Sequence, residues 1–415
     1  MPKMKPTEKT KKNSSKVSSR LYLGERVPKL RFPGFEGEWE AKKFGSLICE
    51  TNNRTTKENE DILLSAAIEG MFLNSELFDH QRGISNKGYK KISRNTLILS
   101  TQNLHLGNAN VNLRFEHGIV SPAYKTYDII GCNHYLLSHW IKSEKAKKFF
   151  YDATTVGASL CRRNVEWETL YEQTLALPNL DEQNQLAKFL NLLIARISAQ
   201  RKLVELLKKH KRGVQSAIFE GYLRVPCQGR EHLAKWETIK IGNIFNERSE
   251  RGGNADELLS VTINFGVRRQ SDTEKKDSSS EDKGNYKRVV AGDIVYNTMR
   301  MWQGASGVSP WAGIVSPAYT VIYPKRNQNT IFWAYAFKHW RLVQTFQKFS
   351  QGLTSDTWNL KFPQLADIKV AMPSLDEQNV IVEFLSRLDA RIDVAERELV
   401  NLSALKSGLL QQLFV

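Results

Sequence analysis

Two short stretches set carboxylates beside amides, Asp181-Glu182-Gln183-Asn184 and Asp376-Glu377-Gln378-Asn379, 195 residues apart. Paired acids can serve as general acid and base. No histidine or nucleophile accompanies both copies, however, and helix initiation is the stronger reading. Pro178 and Pro373 block an earlier start, Asn179 and Ser374 stand where an N-cap belongs, and Glu182 and Glu377 follow at the spacing of a capping box. Asp181 and Asp376 add negative charge to the first turn, where the helix dipole favours it.

A second group of residues suits recognition of a polyanion. The stretch "STQNLHLGNANVNLRF" (100–115) holds Asn103, His105, Asn108, Asn110 and Arg114, and "YNTMRMWQGASGVS" (296–309) holds Asn297, Arg300, Gln303 and Ser306. Arg pairs with guanine edges, Asn and Gln with adenine edges, and small residues let the backbone approach a phosphate. Arg162 and Arg163, in "GASLCRRN", together with Arg268, Arg269 and Lys287, add cations for phosphates. An ordinary polar surface loop has the same composition, so both readings stand at this point.

The remaining chemistry is read from what is missing. His134, His139 and His105 have no partners at metal-ligand spacing, and no metal site is expected. Cys49, Cys132, Cys161 and Cys227 are scattered without a CxxC pair, as in a reduced, cytoplasmic chain. The sequence has no GxxxxGK[ST], no Gly-rich S-adenosylmethionine loop, no Asn/Asp-Pro-Pro-Tyr/Phe signature and no Asp…Glu-x-Lys core. The expectation is a protein that binds and positions, with no catalytic residue and no cofactor of its own. No apolar run reaches a membrane span, and the lysine-bearing N-terminus lacks the apolar core of a signal peptide.

The net charge of +16 over 415 residues, with a pI near 9.5, favours a nucleic-acid or acidic-membrane partner. Half of that surplus lies in residues 1–31, which hold ten Lys/Arg against two acids. Residues 1–27 read as a disordered basic tail, suited either to solvation alone or to touching phosphates. Residues 32–174 balance at 17 against 17, and the folded surplus sits mainly in residues 223–370, at +7.

The elements that must position these residues are duplicated. "GIVSPAY" occurs at 118–124 and 313–319, Trp39-Glu40 matches Trp236-Glu237, and residues 175–219 align without a gap to 370–414 with about 17 of 45 identities. Each copy is an α+β segment with strands such as "TLILS" (96–100) and "DIVYN" (293–297), followed by a helical segment. The domains read as 28–177 and 222–372, and the long helices as 178–221 and 373–415.

Leu186, Leu190, Leu193 and Ile197 open one apolar seam, and Ile381, Leu385, Leu388 and Ile392 open the other. Their alternating spacing of three and four residues predicts a coiled coil, with Lys211 and Lys406 at matching seam positions where they could fix register. Gly221 and then Pro226 end the first helix. Forty residues make a rod of roughly 60 Å. A short link into the second domain makes the helices antiparallel, with a pseudo-two-fold relation between halves and a domain at either end, as in a ruler.

The phrases "PKLRFPGFEGEWEAKKFG", "GDIVYNTMRMWQGASGVS…GIVSPAY" and the doubled "P-x-L-DEQN" resemble the specificity subunits of type I restriction–modification systems, from about residue 28 onwards. The resemblance implies two target-recognition domains, each reading half of a split double-stranded DNA site, and two long helices that set the spacer and dock partners. It implies one copy per complex, two methylase subunits that use S-adenosylmethionine, and two restriction subunits driven by ATP and Mg. The first domain lacks the "YNTMRMWQG" wording. A stand-alone bipartite DNA-binding or scaffold protein without enzyme partners is the alternative.

Overall fold

The fold is taken from a computed structural model, which describes residues 26–78, 85–156, 163–226, 235–253, 255–263, 265–273, 282–325 and 327–415. The chain separates into two compact units, residues 1–200 with 398–415, and residues 201–397.

The first unit is built on an antiparallel four-stranded sheet in the order Ile48–Thr51, Tyr124–Ile129, Leu97–Ser100, Ala109–Val111. A hairpin of Leu64–Ala67 with Gly70–Leu73, a pair of Lys90–Ser93 with His117–Val120, and a pair of Glu40–Lys43 with Thr174–Leu177 complete its main β structure. The second unit repeats this plan. Its sheet runs Phe245–Glu247, Tyr319–Pro324, Ile294–Asn297, Ser306–Val308, with a hairpin of Leu259–Thr262 and Gly266–Arg269 and pairs of Lys287–Val289 with Gly313–Val315 and Glu237–Lys240 with Lys369–Met372. The repeated "GIVSPAY" is strand, turn, strand in both: Tyr124 N–H donates to Ser121 O and Tyr319 N–H to Ser316 O.

The helical stretches after each sheet are each broken in two. His134–Trp140 gives way to Glu144–Asp152, with Ser143 capping the second helix through Ala146 N–H, and Thr330–Phe337 gives way to Trp340–Phe349. Their apolar faces close the cores: Leu136, Leu137, Trp140 and Phe150 pack with Phe44 and Leu97, and Phe332, Trp333, Phe337 and Phe346 pack with Phe245 and Ile294.

Leu180–Phe219 and Leu375–Leu413 are the two long helices, and the 3.5-residue apolar period accounts for their pairing. In the first unit Leu186 and Leu190, near the start of one helix, share a core with Leu410 and Leu413 at the end of the other. In the second unit Ile218 shares a core with Ile381 and Leu385. The start of one helix thus lies against the end of the other in each unit, so the pair is antiparallel. Ile197 and Ile392 are buried and Leu193 and Leu388 half-buried. Lys211 forms an ion pair with Asp389 and lies over the Tyr335 ring, a specific polar use of its seam position. Gly221, at φ +82°, ends the first long helix, with Leu223 N–H returning to Ala217 O. No helix among the described residues is long and apolar enough to cross a membrane.

Candidate nucleic-acid interface

The doubled acid–amide motif is the joint that fixes each sheet to its helix. The N-cap half of the expected capping box forms: Glu182 N–H donates to Asn179 Oδ1 and Glu377 N–H to Ser374 Oγ. The reciprocal half does not, because both glutamate side chains are needed elsewhere. Glu182 is 1% exposed and receives Arg31 through Nε at 2.8 Å and Nη2 at 2.7 Å, with Trp39 Nε1 at 3.4 Å. Glu377 is 3% exposed and receives Arg224 at 2.8 and 3.0 Å, with Trp236 Nε1 at 3.0 Å. A bidentate guanidinium compensates a buried carboxylate far better than a backbone amide alone.

The amides of the motif complete the joint. Gln183 accepts from Asn133 N–H and donates to Pro178 O, and Gln378 does the same with Asn329 and Pro373. Asn184 and Asn379 accept from the Asn133 and Asn329 side chains. Each of these asparagines caps the helix that begins at the following residue. The doubled glutamates are therefore scaffold; the repeat of Trp39 and Trp236 marked the duplication but not their contact with these carboxylates.

The two polar loops adopt one backbone. Leu106 N–H and Asn108 N–H both donate to Asn103 O, while Gln303 N–H and Ala305 N–H both donate to Arg300 O. Thr101 and Thr298 each donate twice, from N–H and hydroxyl, to Ala123 O and Ala318 O. Gly107 at φ +88° and Gly304 at φ +80° end the two 3₁₀ turns in the left-handed region, where a side chain would be strained. Leu104 and Met301 are fully buried at equivalent points. The exposed residues differ: Gln102, Asn103 and Leu106 in the first unit, Met299 and Gln303 in the second, where Arg300 is half-buried.

In both units a segment ahead of the long helix, Arg163–Val165 in the first and the stretch holding Trp358 in the second, meets the polar loop. Arg163 is the charge that, after burial, depresses the pKa of His105, and its guanidinium stacks 4.1 Å from the Tyr151 ring centroid. At the corresponding positions Trp302 and Trp358 meet edge-to-face at 5.2 Å. An imidazole–guanidinium neighbourhood and an indole pair occupy one architectural position.

Several of the expected contact residues are engaged within the fold. Asn108 and Asn110 are 7% and 1% exposed, and their amides donate to Ala66 O and Ala67 O, holding the hairpin turn. Lys142 braces the same turn by donating to Ile68 O, Ala109 O and Asn110 Oδ1, and burial lowers its pKa to about 8. Ser306 is 0% exposed. These three residues cannot reach a base edge without rearrangement, because their side chains are sealed under the hairpins. Arg114 is held by both oxygens of Glu76, Arg269 by Glu257, and Lys287 by Glu247. Asn297 accepts from Met299 N–H and shapes the loop. Arg163 donates to Thr154 Oγ1 and O. Arg300 and Gln303 have no side-chain partner among the described residues, and Arg268 lies over the Phe265 ring. Arg162 lies outside the described residues.

The buried imidazole in this region is structural. His139 is 6% exposed, shares a hydrogen bond of 3.0 Å with Asn191 Oδ1 on the long helix, and burial pushes its pKa down to about 4. Among the described residues no three His, Cys, Asp or Glu side chains converge to hold a metal ion.

With this geometry, comparison with known proteins is informative. Residues 234–403 match the family described as type I restriction modification DNA specificity domain. The type I restriction enzyme MjaVIII specificity subunit of Methanocaldococcus jannaschii is 23% identical, over 91% of this chain and 92% of that protein. Among solved structures, the type I restriction–modification S subunit from M. genitalium matches with a TM-score of 0.53 at 15% identity, covering 94% of this chain and 99% of that one. The HsdS subunit from Thermoanaerobacter tengcongensis matches with a TM-score of 0.50 at 15% identity, covering 91% and 96%. The two structural matches agree with the fold of paired α+β units and long helices.

Proposed function

We propose that this chain is a type I restriction–modification specificity subunit and reads a split duplex site, with one half-site assigned to each unit; the match of residues 234–403 to the DNA specificity domain and the similarity to a specificity subunit support this reading. The observation that carries this reading is the contrast within the repeat. Asn103, His105 and Leu106 replace Arg300, Trp302 and Gln303 on one and the same loop backbone. A shared loop backbone whose exposed side chains diverge suits two readers of different sequences.

In this reading the chain is non-catalytic, acts in the cytoplasm, and lends specificity to partner enzymes. One copy assembles with two methylase subunits and two restriction subunits, and S-adenosylmethionine, ATP and Mg belong to those partners. The seam residues Leu186, Leu190, Ile381 and Leu385 are buried in cores shared with the other long helix, and Ile197 and Ile392 are buried too, so docking falls to the outer faces. Leu192, Leu203 and Leu206 on one long helix, and Val394, Val400 and Leu405 on the other, leave apolar surface there. The continuous helices serve as the spacer.

The test is to map methylated adenines in cells carrying the whole system, before and after replacing residues 32–174 with the corresponding segment of another subunit. One half of the site changes, while the spacer and the other half persist. A change in both halves, or in neither, overturns the assignment of one reader per unit. A chain that remains soluble alone and recruits no methylase overturns the assembly.

A further inference from the structure

The second unit has an apolar projection that the reading loop does not explain. Its hairpin of Leu259–Thr262 and Gly266–Arg269 ends in a tip where Ile263 is 45% and Phe265 68% exposed. An aromatic ring so placed gains nothing from the core, and its backbone is tied back to the strand. Phe265 N–H donates to Thr262 Oγ1, and Gly266 turns at φ +66°. Gly307 lies so close beneath the tip that an added Cβ would stand 2.8 Å from Gly266 Cα and 3.0 Å from Val267 N. Gly307 belongs to the strand Ser306–Val308, which follows directly from the loop bearing Arg300 and Gln303.

The cations around the tip are unequal. Arg269 is tied to Glu257 at 3.2 Å and lies over Trp311, whereas Arg268 lies 4.5 Å over the Phe265 ring and has no carboxylate partner among the described residues. An exposed aromatic ring beside a guanidinium that has no carboxylate partner among the described residues, continuous with a loop of Arg and Gln, matches the chemistry of stacked bases flanked by phosphates. The first unit is built differently. Its hairpin is held by side chains, Asn108, Asn110 and Lys142, and its turn presents Ile68 at 45% exposure with no aromatic.

We propose that Phe265 is a wedge that enters the base stack at the half-site read by the second unit, with Arg268 on an adjoining phosphate. This rests on the DNA-reading function above. The wedge costs unstacking at one step and in return lets the hairpin and the Arg300 loop engage the same face of the duplex.

The full-length chain is used to recover duplexes from a random pool. These are then probed for bending by circular-permutation electrophoresis and for unstacked thymines by permanganate. The wild type is expected to bend its duplex and to expose a reactive step within one half-site only. Phe265→Ala should lose both signals and about tenfold in affinity, the scale of one aromatic–base stack. Phe265→Leu restores the bend, and Ile68→Ala leaves it unchanged. Because Phe265 is exposed, Phe265→Ala should melt with the wild type, and a lower melting temperature would count against a role confined to DNA. Wild-type binding without distortion, or Phe265→Ala binding and bending like the wild type, overturns the wedge and leaves the DNA reader intact. Failure of the wild type to retain any duplex overturns the DNA-reading function and the wedge with it.

Discussion

At the scale of single residues, the glutamates of the doubled motif outweigh the aspartates beside them. Asp181 is exposed at the start of its helix, while Glu182 is buried with Arg31 on both of its oxygens. Removing Glu182 strands a guanidinium that is only 14% exposed. Glu182→Ala is expected to destabilise the first unit by about 3 kcal/mol, the cost of breaking a buried pair. Asp181→Ala should cost only about 0.5 kcal/mol, the worth of an exposed charge at a helix start. Urea unfolding followed by tryptophan fluorescence separates the two, and equal effects would reduce Glu182 to a helix starter. The spacing of the motif read its N-caps correctly. It could not show that the glutamate carboxylate turns away from the cap, since Arg31 lies 151 residues away in sequence.

At the scale of elements, the periodic patterns were the most legible part of the chain. A seam repeating every 3.5 residues places its side chains in one stripe whatever else the protein does, and Leu186, Leu190, Ile381 and Leu385 are buried accordingly. Contacts between elements were less accessible. His139 offered a histidine without metal partners, and the structure makes it the link from the helix His134–Trp140 to the long helix through Asn191. Its pKa in the fold is about 4, below the ordinary 6.5. The folded state therefore refuses a proton that the unfolded chain accepts. The stability this gives is complete above pH 6.5 and is lost as pH falls from 6.5 towards 4, by about 3 kcal/mol. His139→Gln keeps a hydrogen-bonding side chain without the titration. The difference in melting temperature between wild type and variant should shrink or reverse over that interval, and a pH-independent difference would rule out His139 as its source.

At the scale of the whole molecule, the proposed function makes specificity and spacing separable. If the long helices set the spacing, adding residues in phase with the seam should alter the spacer alone. Seven residues inserted in each long helix preserve the 3.5-residue period and add about 10 Å. That is about three base pairs of duplex. Mapping the methylated site should then show both half-sites unchanged and the gap between them longer by about that amount. An unchanged gap would exclude the helices as the measuring element.

Duplication and the helix-start signals were determined by the sequence itself, because repeat spacing, apolar period and capping chemistry are local and survive without tertiary context. The fate of individual polar side chains was decided only by the tertiary structure. Asn103, in the polar loop, and Asn110, in the strand that follows it, have the same chemistry, yet one faces outward and the other is 1% exposed beneath a hairpin turn from residues 67–70. Whether an amide meets solvent or a distant backbone carbonyl depends on contacts across some forty residues of chain, and no local pattern encodes them. The same holds for Arg268 and Arg269, adjacent in sequence, of which Glu257 claims only the second.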